Sequence, residues 1–263
     1  LYVCDPVDHT LMKRLERAAK GKTLHVLETP GFLNSPEHNA AHKAGRKRWF
    51  MAEYYKDQRR RLDVLMDGDV PQGGQWSFDE DNRKKVPVKM LSEIPRLPSV
   101  ERVPADLAAR ESVLAEFETY GSLDRLIYPT SHAAAAAWLQ RFLEDRFQRF
   151  GDYEDAIVRG ESWLWHSVLT PMLNTGLLTP RQILDETLAH ADAHDVPINS
   201  LEGFLRQIIG WREFMRGTYE DLHVPMRTTN HWRHTRKMPA SFYSGTTGID
   251  PIDDAIHRVL QTG

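Results

Sequence analysis

One cysteine, Cys4, stands in a chain of 263 residues. It excludes an internal disulfide framework and any cysteine-only iron–sulfur or zinc site, and it suits a reducing cytoplasm. No apolar run approaches the roughly 20 residues of a membrane span, and no secretory signal opens the chain. A large excess of one charge is missing as well. The formal net charge is −3, so contact with nucleic acid has to come from local basic patches. A glycine-rich phosphate loop following a strand is absent, since "PQGGQ" (71–75) lacks the lysine and helix of a Walker loop. No G-x-S-x-G occurs either, which leaves hydrolase and NTPase readings with little support. Two HxxxH pairs, His38/His42 and His190/His194, lack an intervening glutamate and an evident third ligand. They read as ordinary surface histidines.

What is present is ordinary for a globular protein: 41% apolar and 27% charged residues, in a length that suits one large domain or two modest ones. Residues 1–30 read strand, helix, strand, with Thr10 placed to cap the helix and Gly21 to end it. One βαβ unit cannot bury both faces of a sheet, so most of a parallel α/β domain is expected upstream. The chain opens at Leu1 inside that first strand and closes just after a helical pattern, so truncation at both ends is expected. A basic helix is predicted through "HKAGRKRWFMAEYYKDQRRR". A turn-rich connector over 67–104 follows, anchored by Trp76 and Phe78, with four prolines carrying it across the surface.

From residue 105 onward the patterns are helical almost without a break. Ser131 caps one helix, Pro180 opens another, and Gly151, Gly176 and Gly263 stand where C′ glycines belong. In "SWLWHSVLTPMLNTG", Pro171 starts or kinks a helix and leaves nearby N–H groups unpartnered. Ser167 and Thr170 flank those donors, which makes either a phosphate seat or an N-capped core helix. In "FLRQIIGWREFMRG", helical winding puts Phe204, Leu205, Ile208, Trp211 and Met215 on one face. Arg212 projects between Leu205 and Ile208, where an unpaired guanidinium costs several kcal/mol. A buried carboxylate, helix C-terminal carbonyls or a ligand anion would each answer it. Gly210 and Gly217 suggest close approach to the backbone. The segment 227–243, "RTTNHWRHTRKMPASFY", mixes cations and aromatics in a way that suits a nucleic-acid backbone and a stacked base, or a solvated loop.

Taken together, these stretches resemble the photolyase/cryptochrome superfamily, in particular the bacterial photolyase-related branch with an iron–sulfur cluster and (6-4) activity. "LMDGDVPQGGQWSFDEDNRK" (65–84) is similar to that branch's interdomain signature. "HSVLTPML" (166–173) is similar to the S-x-L-S-P-x-L stretch that seats the FAD diphosphate. "LRQIIGWREFMRG" (205–217) resembles the W-R-E-F helix facing flavin and lesion, and "GTTGIDPIDDAIHRVL" (245–260) a later helix of the same domain.

The resemblance implies a mainly α chain in three parts. Residues 1–35 would be the remnant of a Rossmann-like α/β antenna domain, 36–104 a basic helix and connector, and 105–263 the first part of an all-helical FAD-binding domain. It implies FAD contacts at His166, Ser167, Leu169, Thr170, Arg212 and Tyr153, and DNA contacts at Gln207, Trp211, Arg233, Arg236 and Lys237. The extra residue Gly210 blurs the register at Gln207. It implies a monomeric, cytoplasmic DNA-repair lyase acting on damaged DNA under blue light, with no membrane contact. A lumazine antenna and a [4Fe-4S] cluster are implied too, the cluster cysteines lying outside this chain. On the same scaffold a cryptochrome-type photoreceptor is the alternative. A helical interaction protein without flavin is a third reading, favoured if Ser167 and Thr170 are buried caps and Arg212 pairs with a carboxylate. The 263-residue chain alone is expected to retain FAD poorly.

Overall fold

The computed structural model describes residues 1–263 other than Thr119 and Arg125. It begins with β1 (Tyr2–Cys4), α1 (His9–Ala18) and β2 (His25–Leu27), the strands pairing in parallel with Tyr2 opposite His25. The expected βαβ unit is there, but its cap is Asp8, whose Oδ1 accepts from Leu11 N at 2.6 Å. Thr10 falls inside the helix and accepts from Arg227 instead, at 2.9 Å. Tyr2, Leu11, Val26 and Leu27 stay exposed. A two-stranded sheet has too little area to cover either face.

The single basic helix expected through residue 60 is two helices, α2 (Pro36–Lys43) and α3 (Met51–Leu62). Gly45 in the left-handed region at φ 74° and an extended Phe50 separate them. Ser35 caps α2 in a reciprocal arrangement with His38. Behind α3, the predicted surface connector is clamped rather than loose. It folds into a hairpin of β3 (Met66–Asp67) and β4 (Val70–Pro71), then 3₁₀ turns at Gln72–Gly74, Asp79–Asn82 and Val88–Glu93. Arg59, fully buried on α3, donates to the carbonyls of Val64, Leu65, Gln75 and Trp76. Trp76 and Phe78 anchor it as expected: Phe78 is buried, and Trp76 lies under the guanidiniums of Arg59 and Arg60.

The remainder is helical: α4 (Pro104–Glu116), α5 (His132–Asp145), α6 (Phe147–Phe150), α7 (Thr170–Asn174), α8 (Pro180–Ala193), α9 (Ile198–Leu205), α10 (Glu213–Thr228), α11 (Ser241–Ser244) and α12 (Asp250–Thr262). The chain is mainly α. Thr119, in the pattern predicted to extend α4, lies outside the described residues. Ser131 and Thr179 cap α5 and α8 through their hydroxyls, and Pro180 opens α8. The main core gathers Trp138, Leu139, Phe142, Phe147, Phe150, Met172, Ile183, Leu184, Phe204 and Leu205 from α5 to α9. Gly151 is no C′ glycine, because its φ is −59°. A methyl there would meet the backbone of Asn199 and Ser200 at 2.6 Å, so the residue is small to let α9 approach.

Candidate functional site

The stretch 204–217 is not one α-helix. Between α9 and α10 it winds as a π segment, Arg206–Arg212. Each π turn holds an additional residue, and π segments cluster at functional sites. One inserted residue rotates everything downstream by about 100°. Upstream, Leu201, Phe204, Leu205 and Ile208 are buried; downstream the buried set moves to Ile209, Glu213, Arg216 and Gly217. Trp211 and Met215, expected on the apolar face, are therefore 42% and 53% exposed. Gly210 makes room for the π segment to lie on α3. A methyl there would meet Met51 and Tyr55 at 2.9 and 3.0 Å, and one at Gly217 would meet Trp49 at 2.7 Å.

Arg212 finds carbonyl-type oxygens. Its Nε and Nη2 donate to Gly31 O at 3.4 and 3.3 Å, and its Nη1 donates to Asn174 Oδ1 at 3.1 Å. Its guanidinium also sits 4.8 Å over the Phe32 ring. Among the described residues no carboxylate stands within ion-pair distance of it. Burial lowers its pKa, opposed by the neighbouring Glu213 carboxylate. The next charged positions grip the same loop. Glu213, wholly buried, accepts from the backbone N–H of Leu33 and Asn34 at 2.8 and 3.1 Å. Arg216 donates to Asn34 O at 2.6 Å, lies 4.8 Å from the same Phe32 ring, and reaches Glu220 and Asp5. The helix thus clasps residues 31–34, which follow directly on the βαβ unit.

The 162–174 stretch, predicted as a helix, is irregular up to residue 169, and only α7 is helical. Leu164 and Val168 have φ of 40° and 54°. A positive φ at β-branched valine is strained, and such strain concentrates at functional sites. Trp138 Nε1 holds the strained turn by donating to Ser167 O at 3.0 Å. No side chain caps α7. Ser167 and His166 are half-buried, Leu169 is in the core and Thr170 is exposed. Burial lowers the His166 pKa, the backbone carbonyl of Glu154 opposing it. Neither hydroxyl is a buried cap. Asn174 at the end of α7 is the residue that meets Arg212, so the two stretches meet at one junction.

Gln207 belongs to a second, buried network that residue patterns did not reveal. Its Nε2 donates to Glu154 Oε1 at 2.7 Å and to Gly203 O at 3.2 Å. Glu154 Oε2 accepts from Asn82 at 2.7 Å, and Arg206 lies 3.8 Å away. Arg206 pairs as well with Glu202 at 3.2 Å and Asp79 at 3.0 Å, while Glu202 accepts the Phe78 N–H at 2.9 Å. Burial raises the Glu154 pKa, against the Asn82 hydrogen bond and the Arg206 charge. The 65–84 signature is therefore wired through Phe78, Asp79 and Asn82 into the π segment. The available signal was Glu202 and Arg206, four apart on an otherwise apolar helix.

Tyr153 lies in a small cluster with Met90, Leu164 and Trp165, is 5% exposed, and directs its hydroxyl at the Met90 sulfur. Arg233, Arg236 and Lys237 lie on the fully exposed stretch 229–239 with Trp232. Among the described residues, no hydrogen bond or ion pair joins them to Gln207 or Trp211. Of the histidine pairs, His42 bonds Asp57 at 2.7 Å and His38 serves the Ser35 cap, while His190 and His194 stack on each other. Among the described residues no group of three or more His, Cys, Asp or Glu could hold a metal, and Cys4 is exposed. Among the same residues, no helix is long and apolar enough to cross a membrane.

Comparison with known proteins finds relatives for this chain. The family model for deoxyribodipyrimidine photo-lyase-related protein matches residues 1–128. A (6-4) photolyase of Agrobacterium fabrum is 28% identical over 230 residues, covering 88% of this chain and 45% of that protein. The uncharacterized protein R853 of Acanthamoeba polyphaga mimivirus is 37% identical over 112 residues, which are 42% of this chain and 85% of R853. Protein R852 of the same virus is 31% identical over 97 residues, 35% of this chain and 50% of R852. The chain thus spans less than half the length of the photolyase it matches. The βαβ unit and the clamped 65–84 segment, within residues 1–128, match the deoxyribodipyrimidine photo-lyase-related protein family, and the similarity to the (6-4) photolyase runs on through the helical body.

Proposed function

We propose that this chain forms part of a photolyase-like flavoprotein, an FAD-dependent enzyme that uses blue light to repair pyrimidine photoproducts of the (6-4) type in DNA. The observation that carries the reading is the match across 88% of the chain to a (6-4) photolyase. The geometry supports it on the two points that would have favoured a helical interaction protein. Ser167 and Thr170 are not buried caps, and Arg212 has no carboxylate partner among the described residues.

In this reading residues 1–35 end a Rossmann-like antenna domain, 36–104 connect, and 105–263 begin the FAD-binding domain. The residues at the 166–174 and Arg212 junction fit a flavin dinucleotide. The strained turn at Val168 exposes an uncapped helix start, the hydroxyls of Ser167 and Thr170 flank it, and Arg212 uses three of its five N–H donors. His166, Ser167, Thr170 and Arg212 would hold the cofactor, Leu169 through its backbone because its side chain lies in the core, with Tyr153 behind them against Trp165. Reduced FAD, when bound, supplies the photoexcited electron donor. The chain's own part is positioning. Arg212 offers N–H donors to an anion, Trp211 offers a ring for a flipped base, Gln207 offers an amide, and Arg233, Arg236 and Lys237 offer charge to phosphates. A four-thiolate cluster has no ligand set here, because Cys4 is one exposed cysteine, and no step is assigned to it.

The test uses the protein purified at the length in which cells make it. Flavin absorption and blue-light repair of ultraviolet-damaged oligonucleotides in the presence of reductant are expected. A colourless protein that takes up no added FAD sinks the flavin reading. A yellow protein that leaves the lesions intact replaces repair with a photoreceptor role.

A further inference from the structure

Glu154 has no part in the function proposed so far, yet it is half-buried at the centre of the network that ends on Gln207. The Gln207 amide has two polar neighbours, Glu154 Oε1 at 2.7 Å and Gly203 O at 3.2 Å. Both are acceptors. A carboxylate has no proton to give when ionised, and a backbone carbonyl never has one. Because Gly203 O can only accept, whatever the protonation of Glu154, the NH₂ end of the amide faces inward, and both of its protons are spent there. The two ends of an amide are nearly alike in shape, so it is these partners that decide which one faces in. What remains is the carbonyl oxygen, on a side chain that is part-exposed and followed about one π turn later by the exposed Trp211.

Glu154 is itself held on both oxygens and on its flank. Asn82 donates to Oε2 at 2.7 Å, Arg206 lies 3.8 Å away, and a methyl in place of the Gly203 hydrogen would meet Glu154 Oε2 at 3.1 Å and Asn82 Nδ2 at 2.6 Å. Arg206 and Asn82 are in turn anchored to Glu202, Asp79 and Asn199. A carboxylate so packed has one orientation, and the amide bonded to it inherits that orientation.

We propose that Glu154 is a positioning residue that locks the Gln207 amide with its carbonyl oxygen outward, so that this position accepts a hydrogen bond from an N–H donor on the ligand. The ligand assignment rests on the DNA reading above; the lock does not. For a flipped base read on its Watson–Crick edge, the donor is a ring N–H, which thymine and uracil carry and cytosine lacks. The Asn82 end of the chain explains why the 65–84 signature is wired into this helix at all.

Two measurements test the parts separately. Nuclear magnetic resonance of the ¹⁵N-labelled protein should show both Gln207 side-chain amide protons protected from solvent exchange. Glu154→Ala should abolish that protection while the backbone spectrum elsewhere is retained. If Glu154→Ala does not fold, Glu154→Gln keeps the volume and should instead give faster-exchanging or doubled Gln207 amide signals, because its own amide can face either way. Protection unchanged in the variant overturns the lock. For the ligand, binding of ultraviolet-irradiated oligothymidylate is compared with the same oligonucleotide carrying N3-methylthymine, which lacks the ring N–H. The wild type should prefer the unmethylated probe by about tenfold, and the Glu154 variant should lose that preference while its affinity for undamaged DNA stays the same. An unchanged preference in the variant overturns the acceptor role. Failure of the wild type to bind either irradiated probe sinks the DNA reading proposed above, and the amide protection still decides the lock.

Discussion

Arg212 Nη1 stands 3.1 Å from Asn174 Oδ1, and that hydrogen bond joins the π segment to the end of α7. The same guanidinium holds Gly31 O and covers Phe32. A lysine could place its charge at this point, but it could not reach both oxygens from one plane or stack on the ring. Arg212→Lys is therefore expected to cost about 1–3 kcal/mol of stability in urea unfolding. It should also weaken FAD uptake at least several-fold. Asn174→Ala removes one hydrogen bond only and should cost about 1 kcal/mol or less. Equal effects from the two would show that Asn174, not the loop, carries the junction.

Glu213 should make stability pH-dependent in a direction opposite to an ordinary paired carboxylate. Burial raises its pKa, and the Leu33 and Asn34 N–H groups only partly oppose the rise. Between the ordinary glutamate value and its raised folded value, the folded state binds more protons than the unfolded state. Its contribution to stability therefore falls as pH rises through that window and is level above it. Urea unfolding of wild type and Glu213→Gln between about pH 4.5 and 7.5 should show the wild type losing ground to the variant as pH rises. A difference that is flat, or that runs the other way, contradicts the shift.

Arg59 illustrates how much a single buried donor set fixes. It meets four carbonyls of 64–76 from a position with no exposure. Arg59→Met keeps most of the volume and leaves those oxygens without their donors, at about 2–4 kcal/mol. Limited proteolysis should then cut the 64–76 hairpin, which in the wild type is expected to resist. Cleavage at the same rate in both proteins would show that Phe78 and the main core, rather than Arg59, hold the segment.

Two glycines separate hard from soft neighbours. A methyl at 151 meets backbone atoms of Asn199 and Ser200, whereas a methyl at 210 meets the flexible end of Met51 first. Gly151→Ala is expected to destabilise by about 1–3 kcal/mol, and Gly210→Ala by less, because Met51 can swing aside and only the edge of the Tyr55 ring, at 3.0 Å, has to give. Thermal unfolding of the two variants orders them. A larger loss at 210 would mean that the π segment, and not the packing of α6 on α9, is the tighter joint.

The elements that could be read from residue order were those set by local chemistry. The Ser131 and Pro180 helix starts, the Trp76 and Phe78 anchors and the βαβ unit all follow from caps, turn formers and apolar runs. The close approaches at Gly210 and Gly217 were legible too, since glycine in a helix has few other reasons. The π segment was not. A helix wheel presumes about 100° per residue, so one inserted residue misplaced Trp211 and Met215 on the buried face. The partners of Arg212 and Gln207 come from residues 31, 174 and 154. Such pairings depend on tertiary packing between segments far apart in the chain and leave no mark in local periodicity. Gly45 broke the basic helix by its φ of 74°, a preference that the surrounding charged residues masked.

The exposed stretch 229–239 tests the DNA reading without involving the folded core. Arg233, Arg236 and Lys237 are solvent-exposed and are not part of the buried networks. Replacing all three with alanine should shift stability by no more than about 0.5 kcal/mol. If each neutralises a phosphate, affinity for duplex DNA should fall regardless of sequence or damage. The slope of log affinity against log salt should then become shallower by roughly 2 to 3, at about 0.9 for each phosphate no longer neutralised. Trp232→Ala should act differently: a ring that stacks on an unpaired base lowers affinity for damaged or single-stranded probes and leaves the salt slope as it was. An unaltered slope in the triple variant would show that DNA phosphates are met elsewhere on the protein.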